Sequence, residues 1–195
     1  MPGPVFLRGD RVGLHPIEEA DLSFLAEQMN DPDVWRTLRT RVPKNRRTER
    51  EWWEGLDERD GVTLLVAADG DPVGTVGFHD VNADWGTATV GYAVHPDHWG
   101  NGYATEAVAL LTRYAFAERR LQKLSADVYA HNPASMRVLE KAGWHEEAVL
   151  EREAFVGGER VDLHRFAAHA DAWEQASDRA RAALLEASGR SPDED

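Results

Sequence analysis

Residues 90–116 constrain this chain more than any other stretch. Residues 87–94 alternate as a strand, and residues 102–120 carry Ala107, Leu110, Leu111 and Tyr114 at the spacing of a buried helix face. Gly100 and Gly102 lie between them. The first turn of a helix has unpaired N–H groups and the positive end of the helix dipole. Glycines remove the Cβ atoms that would keep an anion at a distance. Backbone N–H groups from Trp99 to Thr105, with the Thr105 hydroxyl, therefore form a cradle suited to a pyrophosphate. Taken alone, Gly-x-Gly reads first as a tight turn and only second as an anion site. A dinucleotide fingerprint would need glycine at position 105, which is Thr, and an acidic residue about 20 positions on at the end of a second strand. A P-loop needs Gly-Lys-Ser/Thr, whereas here Tyr103-Ala104-Thr105 follows the last glycine.

The rest of the chain predicts antiparallel hairpins interleaved with helices. Residues 5–14 read as paired short strands around Gly9-Asp10, and residues 17–29 as a helix stopped at Asn30-Asp31-Pro32. Residues 48–58 read as a helix capped by Thr48 with Glu51 three positions on. In the Trp52-Trp53 pair one ring is expected inside and one outside. Residues 62–68 and 72–79 flank Asp69-Gly70, and residues 123–130 form a further strand. Asn132-Pro133 opens a helix, with Asn as the cap, that ends at Ala142-Gly143. Residues 144–156 and 160–167 flank the hairpin signal Gly157-Gly158, and residues 169–188 read as an Ala-rich helix. This order is not a regular βαβα alternation, so the fold class is mixed α/β (α+β) rather than doubly wound.

Composition narrows the chemistry. The 195 residues favour one domain, and the absence of cysteine removes disulfides, thiolate metal sites and an acyl-cysteine route. The net charge of -13 disfavours nucleic acid as a partner. A solvated surface is the plain reading of that acidity. Adaptation to high salt is the sharper one, and full activity in dilute buffer with no gain from molar salt would count against it. No apolar run reaches the roughly 20 residues of a membrane helix, and the first residues carry no signal-peptide pattern, so a cytoplasmic protein without membrane contact is expected. His95 and His98 lie three apart without a local third ligand and read as solvated loop histidines, so no metal is expected.

Pro96, the run from Trp99 through Asn101 to Ala107, Asn132-Pro133-Ala134-Ser135 and the run from Leu139 to Trp144 together resemble the GNAT N-acetyltransferases, and within them the RimJ/RimL branch, which acetylates protein N-termini. The resemblance spans residues 5–168, leaving residues 169–195 as a C-terminal helix and acidic tail. It implies a central, mostly antiparallel, splayed sheet of about six to seven strands flanked by about four helices. It implies acetyl-CoA as cofactor, with Val94, Trp99, Gly100, Asn101, Gly102, Tyr103, Ala104, Thr105 and Asn132 along its site, and Ser135 as the group that protonates the departing thiolate. Read locally, Asn132 is only a helix cap and Ser135 a solvent-facing residue. The chain departs from the wider family at Asp97, where Gln or Arg is usual, and at Thr89, where many relatives carry an acid.

The reaction implied is direct attack of an amine on a thioester, with the Val94 N–H or a neighbour polarising the carbonyl. An α-amine, with a pKa of about 7.7–8.0 against about 10.4 for lysine, needs less help from a base. A protein or peptide N-terminus is therefore the expected acceptor. A small amine such as an antibiotic or polyamine is the alternative, and a non-catalytic acyl-CoA-binding module is the rival of another class. His79, Asp80 and Glu153 are candidate bases, none of them selected. Tyr92 beside the cleft and Trp35 in the Arg-rich segment are the candidate substrate-binding residues, with core packing the alternative for Tyr92. Arg36, Arg39 and Arg41 in the same segment bind an acidic peptide or form a solvated basic loop. A monomer or homodimer is expected.

Overall fold

The computed structural model describes residues 2–39, 42–56, 58–174 and 178. Its strands are β1 Leu7–Arg8, β2 Gly13–Pro16, β3 Val62–Ala68, β4 Asp71–Asn82, β5 Thr87–Val94, β6 Lys123–Tyr129, β7 His145–Val156 and β8 Glu159–His169. They form one sheet in the order β1-β2-β3-β4-β5-β6-β8-β7. That is eight strands rather than six or seven. Every neighbouring pair in this order is antiparallel except β5 and β6. A parallel pair needs a crossover, and helix α4, Tyr103–Ala117, supplies it.

The two central strands part company early. β5 pairs with β6 only through Thr87, Ala88 and Thr89, opposite Lys123, Leu124 and Ser125. Beyond that, β5 stays with β4 up to Val94, while β6 stays with β8 up to Tyr129. The sheet therefore opens into a V whose β5 arm is not paired with β6.

Strand alternation divides the core in two. Leu64 and Val66 belong to the larger cluster, which takes in Val108, Leu111 and Ala115 of α4 and Leu139 of α5, Pro133–Lys141. Leu65 between them faces the smaller cluster of Ile17, Leu22 and Leu25, built by α1, Leu22–Asn30, and α3, Arg46–Glu54. Phe78, Leu111, Leu124 and Phe166 are each 1% exposed or less, so each stabilises the fold by about 1.5–3 kcal/mol through burial alone.

Three local expectations change. The helix read as starting at Thr48 starts at Arg46. Asn45 Oδ1 accepts from the N–H groups of Arg47 and Thr48 at 3.0 Å each, and Thr48 Oγ1 closes the capping box by accepting from Asn45 N at 2.9 Å. Asn caps at least as well as Thr, so the earlier of the two prevails. Asp31-Pro32 ends α1 but opens the short α2, Pro32–Trp35, with Asp31 Oδ1 accepting from Asp33 N at 2.7 Å. Trp52 and Trp53 do not divide between inside and outside: both are half-buried against the smaller cluster, and Trp53 Nε1–H donates to Ile17 O at 2.7 Å. The predicted helix over residues 169–188 lies mostly outside the described residues. At its start Trp173 is buried and donates Nε1–H to Ala142 O at 2.8 Å. No helix among the described residues is long and apolar enough to cross a membrane.

Candidate active site

Two cavities, of about 360 and 400 Å³, share Tyr92 and Ala93 of β5 as a common wall. The first lies between β5, the glycine turn and the starts of α4 and α5. Val94, Trp99, Gly100, Gly102, Tyr103, Ala104, Thr105, Asn132 and Ser135 all line it. Asn101 does not: its amide donates to His98 O at 3.1 Å, and its carbonyl accepts from Arg11 Nη1 at 3.2 Å, so it braces the turn from behind. Gly100 and Gly102 have φ of 82° and 79°, the left-handed region that L side chains rarely adopt. A Cβ on Gly100 would meet nothing within 4 Å, so the turn opens onto free space there.

The strand edge facing this cavity has donors to offer. His95 N–H is turned toward β4, where it donates to Val73 O at 2.9 Å. Alternation along the strand turns the Val94 N–H to the opposite edge, which β6 has left. Trp99 Nε1–H donates to Val94 O at 2.7 Å and so pins the turn to the strand end.

At the start of α5, Asn132 Oδ1 accepts from Ser135 N at 3.1 Å, so the helix-cap reading of Asn132 holds alongside its place in the cavity. Ser135 is half-buried rather than solvent-facing. The Tyr92 hydroxyl lies 2.7 Å from Ser135 Oγ and donates to Ser135 O at 3.0 Å in the alternative arrangement. Burial pushes the Tyr92 phenol well above its usual pKa, and the Ser135 hydrogen bond offsets this only in part. Tyr92 therefore keeps its proton and acts as a donor. Given to Ser135 Oγ, that proton leaves the Ser135 O–H free to point into the first cavity. Arg137 and Lys141, one turn apart on α5, also line this cavity. They bring positive charge to a chain whose net charge is -13.

The second cavity lies between β4, β5, α1 and α3. Its walls include Leu25, Met29, Leu38, Trp52, Leu56 and Phe78, with Gln28, Lys44, Glu49, Arg59 and His79 as polar members. Burial raises the Glu49 carboxyl above the usual range, and nearby Lys44 opposes that shift. Of the candidate bases, His79 lines this cavity with its Nδ1 2.9 Å from Asp80 Oδ2, whereas Asp80 and Glu153 line neither cavity. Thr89 sits in the closed part of the sheet, between His79 and Ser125.

Helix α2 and the segment after it roof both cavities. Val34 and Thr37 line the first and Leu38 the second, while Trp35 lines neither and instead lies under the Arg36 guanidinium at 5.2 Å. The roof is tied to β6. Arg165 holds Asp127 bidentately, Nε to Oδ1 at 2.8 Å and Nη2 to Oδ2 at 3.0 Å. Arg39 Nη2 joins at 3.0 Å, and the Tyr129 hydroxyl donates to Leu38 O at 3.3 Å. Arg39 is therefore engaged by the protein itself, and Arg41 lies outside the described residues. His95 and His98 have ring centroids 6.3 Å apart, and no group of three metal-binding side chains occurs among the described residues.

The sequence reading passed over Arg137, Lys141, Gln28 and Glu49. A signal existed only for the first two, an i, i+4 basic pair on the helix that Asn132 caps.

Comparison with known proteins points the same way. A family model described as an acetyltransferase (GNAT) domain matches residues 11–145. The Bacillus subtilis protein named "Probable N-acetyltransferase YjcK" is 32% identical over 78% of this chain and 90% of its own length. Spermidine N(1)-acetyltransferase of Escherichia coli is 26% identical over 76% of this chain and 80% of its own. Among solved structures, spermidine N-acetyltransferase from Vibrio cholerae, in complex with CoA and spermine, superposes with a TM-score of 0.80 at 20% identity, covering 85% of this chain and 99% of that one.

Proposed function

The chain belongs to the GNAT acetyltransferase family, an acetyl-CoA-dependent N-acetyltransferase, and from that premise we propose that its acceptor is the α-amine at the N-terminus of a peptide or protein. The observation that carries the reading is the pair of cavities meeting at Tyr92 and Ala93. One has the makings of a CoA site: an open glycine turn at a helix start, a strand edge left by its neighbour, and two cations. The other has mostly apolar walls.

Bound acetyl-CoA supplies an acetyl group already activated as a thioester. The chain's work is to bind, orient and stabilise charge. N–H groups of the glycine turn and the first turn of α4 hold the pyrophosphate, with Arg137 and Lys141 adding countercharge. The unpaired edge of β5 gives its backbone groups to the amides of the pantetheine arm. The Val94 N–H stabilises the oxyanion. Ser135, oriented by Tyr92, donates its hydroxyl proton toward the departing sulfur. The amine enters through the second cavity. We assign the transferase unit to residues 5–168, with residues 169–195 beyond it as an appendage of the chain, of which Trp173 is buried. Within the family we place it with the RimJ/RimL-like branch.

The relatives named as spermidine acetyltransferases favour a second reading, a polyamine acceptor. The second cavity argues against it. A polycation needs several carboxylates, whereas among the described lining residues Glu49 is the only acidic one, alongside Lys44 and Arg59. Titration with CoA is expected to stabilise the protein by about 2.7 kcal/mol at 100 times the dissociation constant, read as a thermal shift. An acceptor panel then decides the substrate: peptides with free N-termini should be acetylated with higher kcat/KM than spermidine, free lysine or aminoglycosides. Faster turnover of spermidine would overturn the N-terminal assignment, and no thermal shift would overturn the CoA site.

A further inference from the structure

Two buried side-chain atoms among the described residues lack any hydrogen-bond partner, Gln28 Oε1 and Glu49 Oε1. Their residues are 0% and 3% exposed. They come from different helices, α1 and α3, yet both line the second cavity. Buried polar atoms are nearly always paired, so two orphans on one cavity wall call for an explanation in that cavity.

The surroundings hold both groups in place. Gln28 Nε2–H donates to Ala93 O at 3.1 Å, which commits the amide nitrogen to β5 and leaves the oxygen as the unpaired end. Asn30 grips the Lys44 backbone from both sides, accepting from Lys44 N at 2.8 Å and donating to Lys44 O at 2.5 Å. The Asn45 cap follows at once and sets the rotation of α3. Lys44 Nζ stands 4.0 Å from Glu49 Oε1, close enough to attract but too far to donate.

Both orphans are acceptors, so the ligand that satisfies them brings N–H or O–H groups. One is a carboxylate, which selects a positive donor. The walls are apolar and aromatic, so the body that carries the donor is apolar. Lys44, Arg59 and His79 share the lining, which opposes a second positive charge.

We propose that Gln28 Oε1 and Glu49 Oε1 form the amine-recognition pair of the acceptor cavity, and that its ligand is a compact amine with one positive centre and an apolar side chain, such as an N-terminal residue of the leucine type. The proposal rests on the reading of this cavity as the acceptor side. Gln28, tied to the strand residue that both cavities share, meets the amine nearest the cofactor, and Glu49 holds it from α3.

Calorimetry on the CoA-loaded, full-length protein tests this without requiring turnover. Leucinamide is expected to bind at least about tenfold more tightly than N-acetylleucinamide, which lacks the charge. Glu49→Gln should erase that preference and raise the KM of free-amine peptides by roughly ten- to a hundredfold. Gln28→Met should weaken both ligands less. A thermal melt separates recognition from a structural role. A carboxyl whose pKa is raised by folding contributes stability at low pH and loses it as pH rises through the raised value. Because burial disfavours the charged form of Glu49, Glu49→Gln should melt at the same temperature or higher at neutral pH and still bind CoA. A lower melting temperature with an unchanged leucinamide preference would assign Glu49 to the fold and overturn the proposal. So would equal wild-type affinity for the two amides. Wild-type protein that discriminates leucinamide yet acetylates no peptide would leave the recognition pair standing and reject only the N-terminal assignment.

Discussion

Ser135→Ala should lower kcat by about a hundredfold, toward the low end of what a positioned proton donor contributes, while the dissociation constant for CoA changes less than about threefold. The departing thiolate is most basic when the carbon–sulfur bond has broken, so a donor at Ser135 acts on the transition state more than on the bound ground state. If the Tyr92 hydroxyl, 2.7 Å from Ser135 Oγ, turns the serine proton into the first cavity, Tyr92→Phe should reproduce most of the loss. The double variant distinguishes relay from coincidence. If Tyr92 works through Ser135, the double variant should be about as slow as Ser135→Ala alone; additive losses would mean separate roles. Because burial pushes the Tyr92 phenol upward, its ionisation should add no falling limb to the wild-type pH–rate profile below about pH 10. Intact turnover by Ser135→Ala at every pH would remove the donor role.

The two helix starts that frame the first cavity were legible in the sequence because their signals are local. Gly100 and Gly102 after an alternating strand, and Asn132-Pro133 after another, each mark a turn whose chemistry depends on a handful of adjacent residues. The opening of the sheet was expected only through the family resemblance, since no residue of β5 or β6 announces where pairing stops. The second cavity was not legible at all. Glu49 reads as one more acidic residue in Arg-Arg-Thr-Glu-Arg-Glu, a stretch that looks solvated on every face. Its burial comes from the packing of α3 against α1 and from the Asn30 clamp on Lys44, contacts between segments that periodicity does not relate. The same limit explains Trp35. Its neighbourhood was placed over the cleft, but whether Val34, Trp35 or Thr37 faces inward depends on the rotation of a four-residue helix.

Gly102→Val should raise the dissociation constant for CoA by more than about a hundredfold and abolish the thermal shift, with loss of turnover at ordinary acetyl-CoA concentrations. Gly102 caps α4 at φ 79°, ψ 1°. A β-branched residue there is a conformational outlier, and even a simple side chain in this region costs about 1–2 kcal/mol. The chain's easiest escape is to move to negative φ, which rotates the peptide groups that begin α4 and turns their N–H groups away from the cavity. Two charge-assisted hydrogen bonds lost at about 1.5–3 kcal/mol each suffice for the expected change. Steric contact is the lesser cause, because the nearest atom to a Cβ at this position is Arg11 Nη1 at 2.8 Å, the end of a flexible and exposed side chain. That allows a clean control. Arg11→Ala removes the contact and leaves the backbone angle, so Arg11→Ala/Gly102→Val should bind CoA no better than Gly102→Val alone. Gly102→Asn, whose side chain tolerates the left-handed region, should retain most of the affinity. Wild-type affinity in Gly102→Val would mean that the phosphate is held by Arg137 and Lys141 rather than by the turn.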